Sequence, residues 1–129
     1  MKKEMIVCIF LVILIIIVNI LTQNYTKECV SKMHEKLNLL KEESLLKEKN
    51  EEEISNKIDN VDKIWNEYQE KLAYYIEHDE LEKVETQIYA INGFIEIKNY
   101  EEIIPEIEKC IFILEHIKDK NMLNIKNIF

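Results

Sequence analysis

The segment from Met5 to Leu21 is apolar at every position except Asn19, and the chain that follows it is highly charged. A helix over this segment is about 26 Å long, which suffices to cross a thin or locally thinned bilayer core. We therefore predict two parts: residues 1–24 form a transmembrane anchor with a short basic start, and residues 25–129 form a separate helical domain.

A cleaved signal peptide is the alternative to an anchor. The basic start Lys2-Lys3 suits either. A cleavage site requires small residues after the apolar stretch, and Thr22 to Tyr25 contains no alanine, serine or glycine. A lipoprotein site requires a small residue before its cysteine, but Glu28 precedes Cys29. An uncleaved anchor is therefore the better interpretation.

Two polar residues mark the outer end of the predicted span. Tyr25 is expected at the membrane–water interface, where aromatic rings with a polar tip are favoured. Asn19 is expected to face headgroups, with a hydrogen bond between paired transmembrane helices as the alternative. Because a short basic start before a single span usually stays in the cytoplasm, we predict a single-pass protein of the cell membrane with its domain outside.

Composition excludes several classes of protein. The chain has 17 basic residues, all of them lysine, against 25 acidic ones, which gives a net charge of −8. An acidic chain without arginine is a poor nucleic-acid binder. One Gly and one Pro in 129 residues leave little turn chemistry for a sheet protein, so long helices are expected. The three scattered cysteines fit neither a disulfide framework nor a zinc site, and Cys110 is expected in the core.

Apolar periodicity predicts an all-α fold: the transmembrane helix, then an antiparallel bundle of about four helices that ends in a helical hairpin. The first bundle helix runs from about Lys27 to Lys49, and the second, with the clearest apolar stripe, from about Glu51 to Glu77. Between them, the charge run from Lys47 to Glu53 is a hinge or a solvated helical stretch. The third and fourth helices meet at Asn99. The structural positions expected in the core are Trp65, Leu81, Ile88 and Leu114.

The ends of the last two helices carry more specific signals. Asp79, with Glu82 three residues later, has the spacing of a capping box for the third helix. Gly93 lies inside that helix, and close packing against a neighbour is the usual reason for such a glycine. Pro105 predicts either a kink in the fourth helix or a start nearer Ile104.

The fourth helix is expected to stop soon after His116, where the sequence turns polar. The last residues, Ile128 and Phe129, are apolar and are therefore predicted to fold back onto the end of the bundle. The alternative is a ligand for a partner that captures C-terminal carboxylates.

Several of these segments together resemble the domain of unknown function 4363 family. They are the helix with Trp65, the run His78-Asp79-Glu80-Leu81-Glu82, the hairpin end Leu114-Glu115-His116-Ile117 and the terminal Asn127-Ile128-Phe129. The resemblance covers almost the whole chain and implies a small membrane-anchored bacterial protein, but no established activity. The chain departs from the family pattern at Asn99, where members tend to have a Gly-Asp type turn, and at Pro105.

No motif indicates an enzyme, because the chain has no glycine-rich phosphate loop, no nucleophile with a nearby base, and no histidine pair at metal spacing. We expect no cofactor and no catalytic residues. The predicted function is a membrane-anchored interaction or scaffold module that binds another membrane or envelope protein, or itself.

The alternative function is a metal- or pH-responsive sensor. In an antiparallel hairpin, His78, Asp79 and Glu82 could approach Glu115 and His116 at the same end. Imidazoles with carboxylates bind metals or respond to protons near pH 6. Helix capping by the acids, and an interaction of His116 with the negative end of the fourth helix, explain the same residues without a ligand.

Overall fold

In the computed structural model, residues 1–128 are described in their backbone and residues 1–122 also in their side chains. The chain forms four helices, α1 (Lys2–Leu45), α2 (Glu51–Leu72), α3 (His78–Glu96) and α4 (Tyr100–Ile128), and this described part contains no strand. The predicted fold class is confirmed: a long apolar N-terminal helix leads into a helical bundle.

Helix α1 contains both the apolar segment and the first helix of the bundle without a break. The sequence between the two contains neither glycine nor proline, so no residue there interrupts the helix. The segment up to Ile20 is exposed apart from the half-buried Asn19, whereas positions from Thr26 to Ser44 alternate between buried and exposed in a helical period. The bundle therefore stands directly on the apolar helix, without a flexible linker.

Helix α1 ends at Leu45, four residues earlier than the periodicity predicts. Part of the charge run Lys47–Glu53 forms the connection to α2, and Lys49 donates hydrogen bonds to the carbonyl groups of Ser44 and Leu46. The Asn50 side chain caps α2 by accepting a hydrogen bond from the backbone N–H of Glu53, at 3.2 Å. The connection is thus hydrogen-bonded to the end of α1 and to the start of α2.

Helix α2 ends at Leu72 rather than near Glu77, and a turn from residue 73 to residue 77 leads into α3. Helix α3 begins at His78 with Glu77 as its N-cap residue and has no side-chain capping bond. The predicted capping box of Asp79 and Glu82 is therefore not formed. Asp79 lies inside the first turn, where its charge is still favourable near the helix N-terminus.

Helix α3 ends in a tight link to α4. The backbone N–H of Asn99 donates to the carbonyl of Phe94 at 2.9 Å, and that of Lys98 to the carbonyl of Ile95 at 3.0 Å. These two bonds define a Schellman motif, in which the residue after the cap is left-handed and usually glycine. Here Lys98 holds that position with φ 58°.

Helix α4 differs from its prediction at both ends. It begins at Tyr100, so the start expected nearer Ile104 is wrong and Pro105 lies inside the helix. It continues past His116 to Ile128, so His116 lies well before its C-terminal end and does not interact with that end's partial charge. The predicted fold-back of the Ile128 and Phe129 side chains lies outside the residues whose side chains are described.

The core follows the length of the bundle. Helix α1 packs against α2 and α4, α4 also packs against α3, and the contact between α2 and α3 is the least extensive of the four. Trp65, Leu81, Ile88 and Leu114 are all buried. A Cβ added at Gly93 meets no atom within 4 Å, so the close packing expected at this glycine is not present. Gly93 instead lies at the loosely packed α2–α3 side.

Candidate functional site

The apolar part of α1 is the first candidate for a functional feature. Its large side chains from Met5 to Leu21 are exposed, with none of the most apolar stretch buried in the protein. Among the described residues this is one helix that is long and apolar enough to cross a membrane. A row of exposed isoleucine, leucine and valine side chains suits a hydrocarbon environment.

The end of the bundle next to this segment is fixed by a polar network. The Tyr75 hydroxyl lies 2.8 Å from Thr26 Oγ1 and donates to the Thr22 carbonyl at 3.1 Å. Asn121 of α4 donates to the same Thr26 oxygen at 3.2 Å. Burial raises the pKa of Tyr75, so its hydroxyl is neutral and can donate at physiological pH. The network joins the α2–α3 turn and α4 to α1.

A small cavity of about 120 Å³ lies beside this network. Its lining comprises Tyr75, Ile76, Glu77, Glu80, Ile117, Lys120 and Asn121. Glu80 is buried, and its Oε1 lies 3.5 Å from Lys83 Nζ and 3.6 Å from Lys120 Nζ. Its other oxygen has no hydrogen-bond partner among the described side chains. Two lysines thus balance a buried carboxylate at the rim of the cavity.

Glu80 was not predicted as a site residue, because the capping-box spacing singled out Asp79 and Glu82 instead. A signal was present: Glu80 precedes Val84 and Ile88 at intervals of four, so it continues the buried stripe of α3 by one turn.

Of the two histidines predicted as weak metal candidates, His78 is paired within its own helix. His78 Nε2 lies 2.9 Å from Glu82 Oε1 within α3. Glu115 pairs with Lys118 at 2.7 Å and faces His34 of α1 at 3.8 Å, a pairing that the sequence did not indicate. The hydrogen bond to Glu115 raises the pKa of Lys118. His116 is exposed, and the residues with described side chains include no group of three that could hold a metal.

Two of the three cysteines are core residues. Cys29 and Cys110 are buried, and burial raises the pKa of each thiol to about 12. A thiol in this state is inert, since the thiolate is the reactive form. Neither side chain is therefore suited to nucleophilic or redox chemistry.

The second candidate site is a groove between α2 and α3, with a volume of about 560 Å³. Its lining comprises Asp62, Asn66, Glu85, Ile88, Tyr89, Asn92, Gly93 and Glu96. The charged residues among these are all acidic. Tyr89 stands at its edge with 75% of its surface exposed. Gly93 has no side chain, and a Cβ added there would meet no atom within 4 Å, so the groove is open at this position.

Comparison with known proteins assigns the bundle to a family. The family described as Domain of unknown function (DUF4363) matches residues 20–128. The chain belongs to the DUF4363 family. No curated protein matches the chain. No solved structure matches it either.

The DUF4363 match begins at the end of the apolar segment and includes both the polar network and the α2–α3 groove. It also includes the α3–α4 link, where the chain departs from the turn expected of the family. In this DUF4363 member the link is made without glycine, by Lys98 in the left-handed conformation.

Proposed function

We propose that this protein is a membrane-anchored interaction module, which binds a protein partner through the α2–α3 groove. The observation that carries the proposal is the groove itself. It is an open, acidic surface with an exposed tyrosine, between the two helices that form the least extensive of the four helix contacts. The proposed role is binding, without catalysis.

The groove has the composition of a contact surface. Tyrosine is enriched among residues that dominate interface energies, and Tyr89 is exposed without covering the core. Asp62, Glu85 and Glu96 provide negative potential along its length. A partner with lysine or arginine side chains on a helix or extended segment would complement that potential.

Charge also argues against self-association through this surface. Two grooves facing each other would bring Asp62, Glu85 and Glu96 of one copy against the same carboxylates of the other, and like charges across an interface are costly. We therefore favour a different membrane or envelope protein as the partner. The negative net charge and the absence of arginine argue against nucleic acid.

The proposed location follows from α1. We propose that its apolar segment spans the cell membrane, with the basic Lys2-Lys3 start in the cytoplasm and the bundle outside. Because α1 is unbroken from Lys2 to Leu45, the groove would be held at a fixed height above the bilayer.

Site-specific photocrosslinking in native membranes tests the proposal. A crosslinking side chain at Tyr89 should capture a discrete partner. The matched control is Phe112 of α4, which is 74% exposed and lies outside the groove lining. Capture from position 89 but not from position 112 would support a groove-specific partner. Equal capture from both positions, or none from position 89, would contradict it.

A further inference from the structure

The tyrosines of this chain are concentrated at one end of the bundle. Of the six tyrosines, four belong to the middle of α1, the last turns of α2 or the turn that follows α2. These are Tyr25, Tyr68, Tyr74 and Tyr75. Tyrosine is enriched where a membrane meets water, because its ring is apolar and its hydroxyl is polar.

The depth of this end is set by hydrogen bonds to α1. Tyr75 donates to the carbonyl of Thr22, the residue directly after Leu21, and also contacts Thr26. Along a helix, Thr22 lies about 1.5 Å and Thr26 about 7.5 Å beyond Leu21. The headgroup region of a bilayer is about 5–7.5 Å thick on each side. The α2–α3 turn is therefore at headgroup depth when Leu21 is at the edge of the hydrocarbon.

Tyr74 is the tyrosine of this turn that the protein does not cover. It is 89% exposed, whereas its neighbour Tyr75 is half-buried against α1. At the same end of the bundle, the rings of Tyr25 and Tyr68 are 5.2 Å apart, and Lys71 Nζ lies 5.5 Å from the centre of the Tyr25 ring. An aromatic ring that the protein leaves exposed at this depth fits a lipid surface.

We propose that the α2–α3 turn is a second membrane contact, in which the Tyr74 ring enters the headgroup region beside α1. The inference rests on the proposed insertion of α1. Glu70, Glu77 and Asp79 are exposed near the turn, so the contact is suited to zwitterionic rather than anionic headgroups. Two attachment points fix the tilt and rotation of the bundle, and with them the direction in which the α2–α3 groove faces.

Fluorescence quenching tests this contact in the full chain inserted into phosphatidylcholine vesicles. The only native tryptophan, Trp65, is buried and provides a constant background. Three single variants add a reporter: Tyr74→Trp at the turn, Tyr89→Trp in the groove and Phe10→Trp in the apolar segment. Each is measured with lipids that carry a quencher either near the headgroup or deep in the acyl chain.

The expected result is strong quenching of Tyr74→Trp by the shallow quencher and no added quenching of Tyr89→Trp. Phe10→Trp should be quenched by the deep quencher, which reports insertion of α1. An unquenched Tyr74→Trp with a quenched Phe10→Trp would overturn the second contact and leave the anchor intact. An unquenched Phe10→Trp would overturn both.

Discussion

The hydroxyl of Tyr75 lies 2.8 Å from Thr26 Oγ1, so a turn between α2 and α3 is hydrogen-bonded to a residue 49 positions earlier in α1. The same hydroxyl donates to the Thr22 carbonyl. This contact ties the α2–α3 turn to the part of α1 that directly follows the apolar segment.

Removal of this hydroxyl should weaken the bundle. Tyr75→Phe is expected to lower the free energy of unfolding by about 1 kcal/mol, the usual net value of such a hydrogen bond. Tyr74→Phe is the matched control, because Tyr74 is exposed. Denaturant unfolding in detergent micelles, followed by Trp65 fluorescence, measures both. Equal stability of the two variants would show that the Tyr75 contact contributes nothing.

Truncating buried core side chains should lower the free energy of unfolding much more than removing the Tyr75 hydroxyl. Leu81, Ile88 and Leu114 are at most 2% exposed. Replacing each with alanine should lower the free energy of unfolding by about 2–5 kcal/mol. Glu85→Ala, on the exposed face of α3, should leave the free energy of unfolding nearly unchanged. The same unfolding measurement applies. An Ile88→Ala variant as stable as the wild type would contradict the buried face of α3 described here.

Gly93→Ala should stabilise the protein. An added Cβ meets no atom within 4 Å, and alanine favours a helix over glycine by about 1 kcal/mol. The expected result is a higher denaturant midpoint than that of the wild type. Alanine also leaves most of the groove open, so partner capture from position 89 should persist. A lower midpoint would indicate packing at Gly93.

Cys29 and Cys110 should resist alkylation in the folded protein. Burial raises both thiol pKa values to about 12, so little thiolate forms at about pH 8, where an ordinary thiol of pKa about 8.5 reacts. Mass spectrometry after maleimide treatment should find both cysteines modified only when denaturant is present. Modification of Cys110 in the folded state would contradict its burial.

The same rise in the thiol pKa values makes the stability of the protein depend on pH. In the unfolded chain these thiols ionise near their ordinary pKa, whereas burial in the folded chain raises the pKa of each to about 12. The folded state then binds more protons, so stability is retained below the ordinary pKa and falls as the pH rises above it. A lower denaturant midpoint at alkaline pH than at neutral pH is the expected result.

The sequence predicted what depends on local periodicity. The stripes of α2 and α3, including Trp65, Leu81 and Ile88, follow from apolar residues at intervals of three and four. Helix ends were less predictable, because several neighbouring residues can each serve as the residue at which a helix begins or ends. Asp79 has capping chemistry, but the N–H groups of Glu80 and Leu81 bond to the Glu77 carbonyl once the chain turns at Glu77.

The candidate sites depend on tertiary geometry and were harder to predict. The buried Glu80 and its approach to Lys120 require the α3–α4 pairing to be known in register. The groove lies between α2 and α3, the least extensively packed pair of contacting helices, beside Gly93, where the sequence suggested a close contact instead. Periodicity identifies which face of a helix is buried, but not how far two neighbouring helices separate.

The charge dependence of crosslinking from position 89 tests the central claim, a partner bound at the acidic groove, most directly. The double variant Asp62→Lys, Glu85→Lys reverses two groove charges at exposed positions, and Glu101→Lys with Glu102→Lys on the exposed start of α4 is the matched control. The account predicts that the groove variant loses the crosslinked species while the α4 variant retains it at wild-type yield. Retention of the species by the groove variant would contradict the account.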